Sequence, residues 1–451
     1  MTRRQALALT LAGVAVTPGE MSAFAQSTVP LPRTTLPTRT ALTRLGLERG
    51  WYAIVPLGFG SEQVQSINLA EDMFFIQTNL ANLHVYEAET GKYLWGAKLG
   101  RETLDAQPVS VNSDQVFVAN GPDLISLDRR TGRLIWTARM PGSAVGATAA
   151  NEHRVMVGLA GGKLVSFNAR DESHSKPPGR SAGTFASAWQ TNANLTARPV
   201  PAGRVVAFAS QDSRVYVTME EPPTILYRYP TGGPIIGSLG TVGNRTLVIP
   251  SMDRTLYAID LFTGDTKWTV ATGAPIDQEP LVAGNVVYSL NTMGHVVAVD
   301  GTTGSVIWTG EAGRGRILAV GATKLYFESK DHDLAIVDRA TGKILAMPRD
   351  TRERAGLDLR DYRYAHTNHE NDRMYFATAG GFILCLREAG QSLPRPLRDP
   401  KAPKFGTLPP GGEPPTPTPP AAPTEAPPAE GASEKPAAPP EGGAGDEEKP
   451  K

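Results

Sequence analysis

One motif returns along this chain at nearly constant spacing, and it constrains the fold more than any other feature of the sequence. The motif reads Ala-x-Asp-x-x-Thr-Gly-x-x-x-Trp, and each copy follows a short apolar segment. A repeat of this length is one supersecondary unit that cannot bury its apolar face alone, so neighbouring units must pack together. The five clearest copies, the last with alanine in the tryptophan position, span 85–95, 126–136, 258–268, 298–308 and 336–346.

Weaker copies fill the gaps between these five. Asn168 and Met219 stand in the aspartate position of two further units, and Tyr227 takes the tryptophan position of the second one. An eighth copy near the end of the repeats puts Arg387 in the aspartate position. The chain therefore contains eight units with a mean spacing of about 43 residues, which is typical of propeller blades.

The residues of the motif have a physical logic. Aspartate accepts hydrogen bonds from backbone N–H groups of the following turn, and glycine permits the positive φ that a tight hairpin needs. The flanking segments alternate apolar and polar or small residues with period two, as strands do. We therefore predict an all-β fold, an eight-bladed β-propeller of four-stranded antiparallel blades over residues 50–390.

One tryptophan lies outside the units and indicates how the ring closes. Trp51 precedes the first unit, whereas the eighth unit is followed by prolines and lacks its own outer strand. Residues 51–55 read WYAIV, a β-prone segment. We predict that this N-terminal strand completes the last blade, so that no sheet edge is left open between the first and last blades. All the tryptophans are then expected to pack between blades.

The motif resembles the tryptophan-docking repeat of pyrroloquinoline quinone (PQQ)-type propellers over about residues 50–390. The resemblance implies one of two functions, because the family contains quinoprotein dehydrogenases and also non-catalytic envelope propellers of the BamB type. The matched residues specify packing, so the resemblance alone does not choose between these functions.

Residues expected at the channel argue against the dehydrogenase. Such an enzyme needs convergent carboxylate and amide oxygens for Ca²⁺, and many members stack PQQ on a disulfide between adjacent cysteines. Cys385 is the only cysteine here. The residues aligned before an inner-strand proline are Gln107, Arg198 and Glu279, with Leu239 in the same position of another blade. This set does not form a cation site, so we expect no catalytic residue, cofactor or metal ion.

Two other groups of polar residues have alternative interpretations. Arg316 opens an inner strand and either lines the channel as an anion site or lies in a solvated turn. His366, His369 and Glu370 suggest a metal site, but residues three apart on a strand point to opposite faces. We therefore expect a solvated polar loop at 366–370.

The two ends of the chain differ from the repeats. Residues 1–25 carry an Arg3-Arg4 pair, an apolar core and a small-x-small site, which predicts a cleaved signal peptide and a periplasmic or secreted protein. Residues 26–49 resemble a linker. The proline-rich, acidic segment 391–451 is expected to be a disordered tail. No lipid-bearing cysteine follows the signal, and no apolar run is long enough to span a bilayer.

These observations favour a non-enzymatic, exported, BamB-like scaffold that binds envelope proteins through loops between blades. The alternatives are a propeller that binds a small ligand or polysaccharide and, less favoured, a PQQ-dependent dehydrogenase. The formal net charge of zero argues against nucleic acid as a partner, and a monomer is expected. The insertion 349–363 supplies Arg352, Arg354 and Arg360 as candidate protein-binding residues, because long loops on rigid scaffolds often carry recognition.

Overall fold

The computed structural model describes residues 36–58, 60–100, 107–171 and 181–407. These residues form eight four-stranded sheets in which every neighbouring pair of strands is antiparallel. The eight-bladed propeller predicted from the repeat is confirmed. The predicted signal peptide and the part of the tail from residue 408 onward lie outside the described residues.

The strands follow one another around the ring. The chain enters through helix α1 (Arg39–Arg44) and strand β1 (Leu47–Ile54). The strands of the next seven blades, four to a blade, are β2 (Val64–Ala70), β3 (Met73–Thr78), β4 (Asn82–Glu87), β5 (Tyr93–Lys98), β6 (Ser110–Val111), β7 (Gln115–Asn120), β8 (Asp123–Asp128), β9 (Leu134–Arg139), β10 (Ala149–Ala150), β11 (Arg154–Leu159), β12 (Lys163–Asn168), β13 (Phe185–Gln190), β14 (Val200–Ala202), β15 (Val205–Ser210), β16 (Arg214–Met219), β17 (Thr224–Pro230), β18 (Gly240–Val242), β19 (Thr246–Pro250), β20 (Thr255–Asp260), β21 (Thr266–Ala271), β22 (Leu281–Ala283), β23 (Val286–Leu290), β24 (His295–Asp300), β25 (Val306–Glu311), β26 (Gly315–Val320), β27 (Lys324–Ser329), β28 (Leu334–Asp338) and β29 (Ile344–Ala346). One turn of π-helix (Asp350–Arg354) follows β29. The last blade then contributes β30 (Tyr364–Ala365), β31 (Met374–Ala377) and β32 (Phe382–Glu388).

The N-terminal strand closes the ring as predicted. The last blade has the order β1-β32-β31-β30, and Trp51 pairs with Cys385 across β1 and β32. The folded part begins earlier than the predicted boundary at residue 50, because β1 starts at Leu47 and α1 precedes it. Ala41 and Leu42 of α1 are buried against the last two blades, so residues 39–49 are not a free linker.

The tryptophans dock each blade onto the next one. Trp268 donates its indole N–H to the carbonyl oxygen of Gly301 at 2.9 Å, one residue after the aspartate of the next blade. Trp51, Trp95, Trp136 and Trp308 make the same bond to the corresponding carbonyl. Tyr227 replaces the indole in its blade and donates its hydroxyl to the carbonyl of Leu261 at 2.6 Å. The predicted inter-blade role of the tryptophans is thus explained by this docking.

The aspartate organises the turn that receives the tryptophan. Asp300 Oδ1 accepts hydrogen bonds from the backbone N–H of Thr302 at 3.0 Å and of Thr303 at 2.8 Å. The bonds from Thr303 hold the pKa of the Asp300 carboxyl below its ordinary value. Gly304 then takes a φ of +77°, which brings the backbone against the Trp268 ring. Turn chemistry and blade docking therefore depend on the same few residues.

Gly304→Ala should destabilise the fold by more than its backbone conformation alone explains. A Cβ at Gly304 would lie 2.4 Å from the Trp268 Cβ, whereas at Gly313, which has a φ of +80°, nothing lies within 4 Å. Both substitutions carry the cost of about 1–2 kcal/mol for a left-handed non-glycine residue. Gly304→Ala adds about 1–3 kcal/mol of overpacking. Urea unfolding of the two variants tests this, and equal losses would contradict the docking role of the turn.

The alternation of strands gives the ring two distinct faces. In the first seven blades the first-to-second and third-to-fourth turns lie on one side, which we call the turn face; it carries the Asp-Thr-Gly turns. In the last blade, whose fourth strand is β1, the first-to-second connection lies on this side. The second-to-third turns and the connections between blades lie on the opposite side, which we call the linker face. The first strands of successive blades contact one another and surround a central channel.

Candidate functional site

The central channel contains a cavity of about 560 Å³. Its wall is formed mainly by small and apolar residues of the first strands, such as Val111 and Val200. Residues 391–407, which we call the strap, cross the turn-face end of the channel, and their Leu397 and Phe405 line the cavity. The sequence-based expectation of an unpacked tail from residue 391 therefore differs from the structure, because these two apolar side chains find partners on the ring.

Charged side chains gather where the channel reaches the linker face. A second cavity of about 380 Å³ there is lined by Arg198, Glu279 and Arg316 together. Arg198 Nη2 lies 3.1 Å from Glu279 Oε1, and Arg316 Nε lies 2.6 Å from Oε2 of the buried Glu328. Gln107 lies apart from this group, and its backbone carbonyl accepts a hydrogen bond from a neighbouring glutamine side chain. Of the four channel residues predicted from the sequence, Arg198, Glu279 and Arg316 therefore line one cavity together, and Gln107 lies outside it.

Two histidines from the connection between β30 and β31 also line this second cavity, which corrects the expectation of a solvated loop. His366 and His369 follow the end of β30 in irregular chain, so the alternation that separates residues on a strand does not apply to them. His369 Nδ1 lies 3.7 Å from Glu279 Oε1. Burial, together with His369, Arg316 and Arg198, lowers the pKa of His366 to about 3. Burial likewise lowers the pKa of His369, so both rings are neutral at pH 7.

His366 should make the protein less stable in mild acid. Its pKa is depressed in the folded state, so the unfolded chain, with a histidine pKa near 6.5, binds more protons between about pH 6.5 and pH 3. Stability is therefore greatest above pH 6.5 and falls as the pH falls. We expect His366 to account for about 1 kcal/mol of the loss between pH 7 and pH 5, allowing for partial solvent access. Urea unfolding at both pH values should show a smaller loss for His366→Gln than for the wild type, and equal losses would contradict this assignment.

The channel residues do not fit PQQ with Ca²⁺. Glu279 and Glu328 are engaged by arginines, so these carboxylates are not available as a convergent cation site. Within the described ranges no group of three or more histidine, cysteine or acidic residues is placed to hold a metal ion. Cys385 is the only cysteine of the chain, it is 1% exposed, and burial raises the pKa of its thiol to about 12. No disulfide between adjacent cysteines can therefore form.

The arginine-rich insertion 349–363 lies beside the seventh blade and starts on the linker face. Arg352 forms an ion pair with Asp333, whose side chain is buried, so this arginine holds the insertion to the blade. Arg360 pairs with Asp358 at 2.7 Å, and Arg354 lies 3.4 Å from Asp350. Of the three candidate arginines, Arg354 and Arg360 keep most of their side chains exposed, so these two are accessible to a partner.

Apolar side chains are exposed on the same face. Val145 and Ile236 lie in connections between blades, Met293 lies in a second-to-third turn, and Met347 lies between β29 and the arginine-rich insertion. Their exposed fractions are between 37% and 50%. Exposed apolar residues on loops of a rigid ring are suited to protein recognition.

Sequence reasoning missed the two channel histidines and the strap. The histidines were assigned to a strand that is in fact only two residues long, Tyr364–Ala365. The first strands of several other blades are equally short, but this is visible only in the structure. For the strap, Leu397 and Phe405 were the signal, as isolated large apolar residues in a proline-rich segment.

None of the helices in the described part of the chain is both long and apolar enough to cross a membrane. The observation concerns helices only.

Comparison with known proteins gives a consistent family. The family model described as "Outer membrane protein assembly factor BamB" matches residues 79–221 and 201–409. The outer membrane protein assembly factor BamB of Kangiella koreensis is 27% identical over 119 residues. That match covers 24% of this chain and 31% of the relative, so the chain spans about a third of the relative's length.

Solved structures show the same fold at low identity. BamB from Moraxella catarrhalis superposes with a TM-score of 0.59 and 17% identity, covering 76% of this chain and 97% of that one. The computationally designed Ika8 protein gives a TM-score of 0.57 and 15% identity, covering 74% and 99%. At these identities the similarity describes the architecture and not the activity.

Proposed function

Because this chain belongs to the family of outer membrane protein assembly factor BamB, we propose that it is a non-enzymatic propeller scaffold of the cell envelope. It binds partner proteins through the loops of its linker face and contributes to outer-membrane protein assembly. The predicted signal peptide delivers it to the periplasm, where such partners are found. Envelope proteins, rather than nucleic acid or a small substrate, are its partners.

The observation that carries this proposal is the composition of the linker face. Val145, Ile236, Met293 and Met347 expose apolar surface there, and Arg354 adds an accessible charge. Methionine and arginine are enriched in protein interfaces, and exposed apolar loops around a rigid ring suit a partner that packs against the ring. The opposite end of the channel is covered by the strap, which leaves the linker face as the accessible end of the channel.

The charges of the channel support a non-enzymatic role. A catalytic acid or base needs a titratable group that can exchange a proton with substrate near neutral pH. Here the Arg198–Glu279 and Arg316–Glu328 pairs satisfy one another. These two ion pairs therefore act as a structural element at the linker-face end of the channel. They also form a polar patch at the centre of that face.

Capture from solubilised envelopes tests the proposal. A tagged full chain should retain a component of the outer-membrane barrel-assembly machinery, identified by mass spectrometry. Ile236→Glu should reduce the retained amount at least tenfold, because a charge in an apolar contact must lose its hydration on binding. Leu134→Glu is the matched control, since Leu134 lies on the outer strand β9 and is 64% exposed.

Two outcomes would contradict this function. In the first, no assembly component is retained by the wild type. In the second, Ile236→Glu and Leu134→Glu behave alike although both variants melt as the wild type does. Dye-linked dehydrogenase activity after addition of PQQ and Ca²⁺ would separately overturn the non-enzymatic assignment.

A further inference from the structure

The strap is attached to the last blade at its beginning. Arg373 Nη2 donates hydrogen bonds to the carbonyl oxygens of Gln391 at 2.9 Å and Ser392 at 3.2 Å. The backbone N–H of Arg395 donates to Asp372 Oδ1 at 3.0 Å. These bonds fix the direction in which the chain leaves β32, so that it turns across the channel instead of away from the ring.

Further along, the strap bonds once more to the last blade and then to the sixth and fifth blades. The N–H of Leu397 donates to the carbonyl of Glu370 at 2.9 Å, and its own carbonyl accepts from the N–H of Gly284 at 2.7 Å. At the other end, Gly406 N–H donates to the carbonyl of Asn244 at 2.9 Å, and the Asn244 side-chain amide donates to a strap carbonyl. Most of these contacts use the backbone, as in proteins that bind extended peptides.

Two apolar side chains anchor the strap on different blades. Leu397 is 6% exposed and belongs to the core cluster of the sixth and seventh blades. Phe405, eight residues later, is 8% exposed and belongs to the core cluster of the fourth and fifth blades. Gly406 permits a close approach, because a Cβ there would lie 2.3 Å from the Ala202 Cβ. The strap thus occupies two apolar subsites joined by a backbone-binding rim.

The strap and the rim of the channel, meaning the turn-face residues that the strap crosses, carry complementary charges. The strap has four basic residues, Arg395, Arg398, Lys401 and Lys404, and one acidic residue, so its net charge is +3. Acidic residues lie where it crosses the ring, namely Glu71, Glu152, Glu370 and Asp372. Lys404 Nζ lies 3.6 Å from Glu152 Oε1. The four prolines of the strap favour an extended backbone, which lowers the entropy lost on docking.

We propose that the turn-face end of the channel is a binding site for extended, basic, proline-containing peptide segments, and that residues 391–407 occupy it within the same chain. The site differs from the linker face and does not depend on the function proposed above. A tethered segment competes at an effective concentration in the millimolar range. Other peptides of the same chemistry therefore bind only when the strap is released.

A synthetic peptide tests the site in the full-length chain. Leu397→Ala combined with Phe405→Ala removes both anchors of the tethered strap and leaves the rim unchanged. A fluorescein-labelled peptide of residues 391–407 should bind this double variant at least tenfold more tightly than the wild type, measured by fluorescence anisotropy. The same peptide carrying the two alanines should bind neither protein. Equal binding of the native peptide to wild type and variant, or no binding to the variant, would overturn the proposal.

Hydrogen exchange of the unmodified chain provides a test that does not require the variant to fold. The amides of Leu397 and Gly406 should be protected but should open at a lower free energy than amides of the blade strands, because the strap leaves as a separate unit. Exchange at the rate of an unprotected chain would mean that the site is empty. Exchange together with the blades would mean that the strap is an inseparable part of the fold. Either result would refute a peptide site in exchange with its occupant.

Discussion

Replacing Trp51 by alanine should lower the free energy of unfolding by about 3–5 kcal/mol, the usual cost of truncating a buried tryptophan. Its ring lies 6.1 Å from the rings of both Phe74 and Tyr375, which belong to the first and last blades. Its indole N–H donates to the carbonyl of Ala88 at 2.9 Å. The substitution therefore opens a cavity at the one junction where the two ends of the ring meet.

Tyr52→Ala is the matched control for this variant. Tyr52 is the next residue of β1, but its side chain points outward and is 55% exposed. We expect Tyr52→Ala to cost less than half as much as Trp51→Ala in urea unfolding. Similar losses for the two variants would mean that β1 acts only as an edge strand and that Trp51 does not dock the ring.

Arg373→Ala should be as damaging, by about 3–5 kcal/mol, because it leaves a buried charge without its partner. Arg373 and Asp372 are 3% and 1% exposed, and Arg373 Nη1 lies 3.0 Å from Asp372 Oδ1. The same arginine also holds the start of the strap through two carbonyl oxygens. The loss therefore combines an unpaired carboxylate with release of the strap from the last blade.

The exposed pair of Arg360 and Asp358 provides the comparison for Arg373. Both side chains are more than half exposed although their atoms approach to 2.7 Å. Exposed ion pairs contribute about 0–1 kcal/mol, so Arg360→Ala should change unfolding little. Thermal and urea unfolding of both variants decide this. A loss of about 1 kcal/mol or less for Arg373→Ala would contradict the assignment of a buried, strap-anchoring pair.

The architecture could be predicted from the sequence because its determinants are local. Asp300, Thr303 and Gly304 form a turn within five residues, and their spacing to Trp308 sets the length of the hairpin. Even the degenerate unit was assigned correctly, since Tyr227 has a hydroxyl that replaces the indole N–H as a donor. Ring closure could be predicted because Trp51 lies outside all eight units, whereas the eighth unit lacks the outer strand that carries the tryptophan.

The channel and the strap could not be predicted in the same way, because they depend on contacts between residues far apart in sequence. His366 and His369 meet Arg198 and Glu279 only when the ring is closed. The average composition of residues 391–451 is proline-rich and polar, and two apolar residues, Leu397 and Phe405, change that average too little to be noticed. Truncation of the tail should therefore be designed from residue 408, since a cut at 391 removes the strap as well.

Site-specific photo-cross-linking in living cells tests most directly the claim that the linker face is the recognition surface. A photoreactive amino acid would replace Ile236 on that face or Leu134 on the outer strand β9, in otherwise unchanged chains. The account predicts that position 236 forms an adduct with a component of the barrel-assembly machinery and that position 134 does not. An adduct with that component from position 134 and none from position 236 would contradict it.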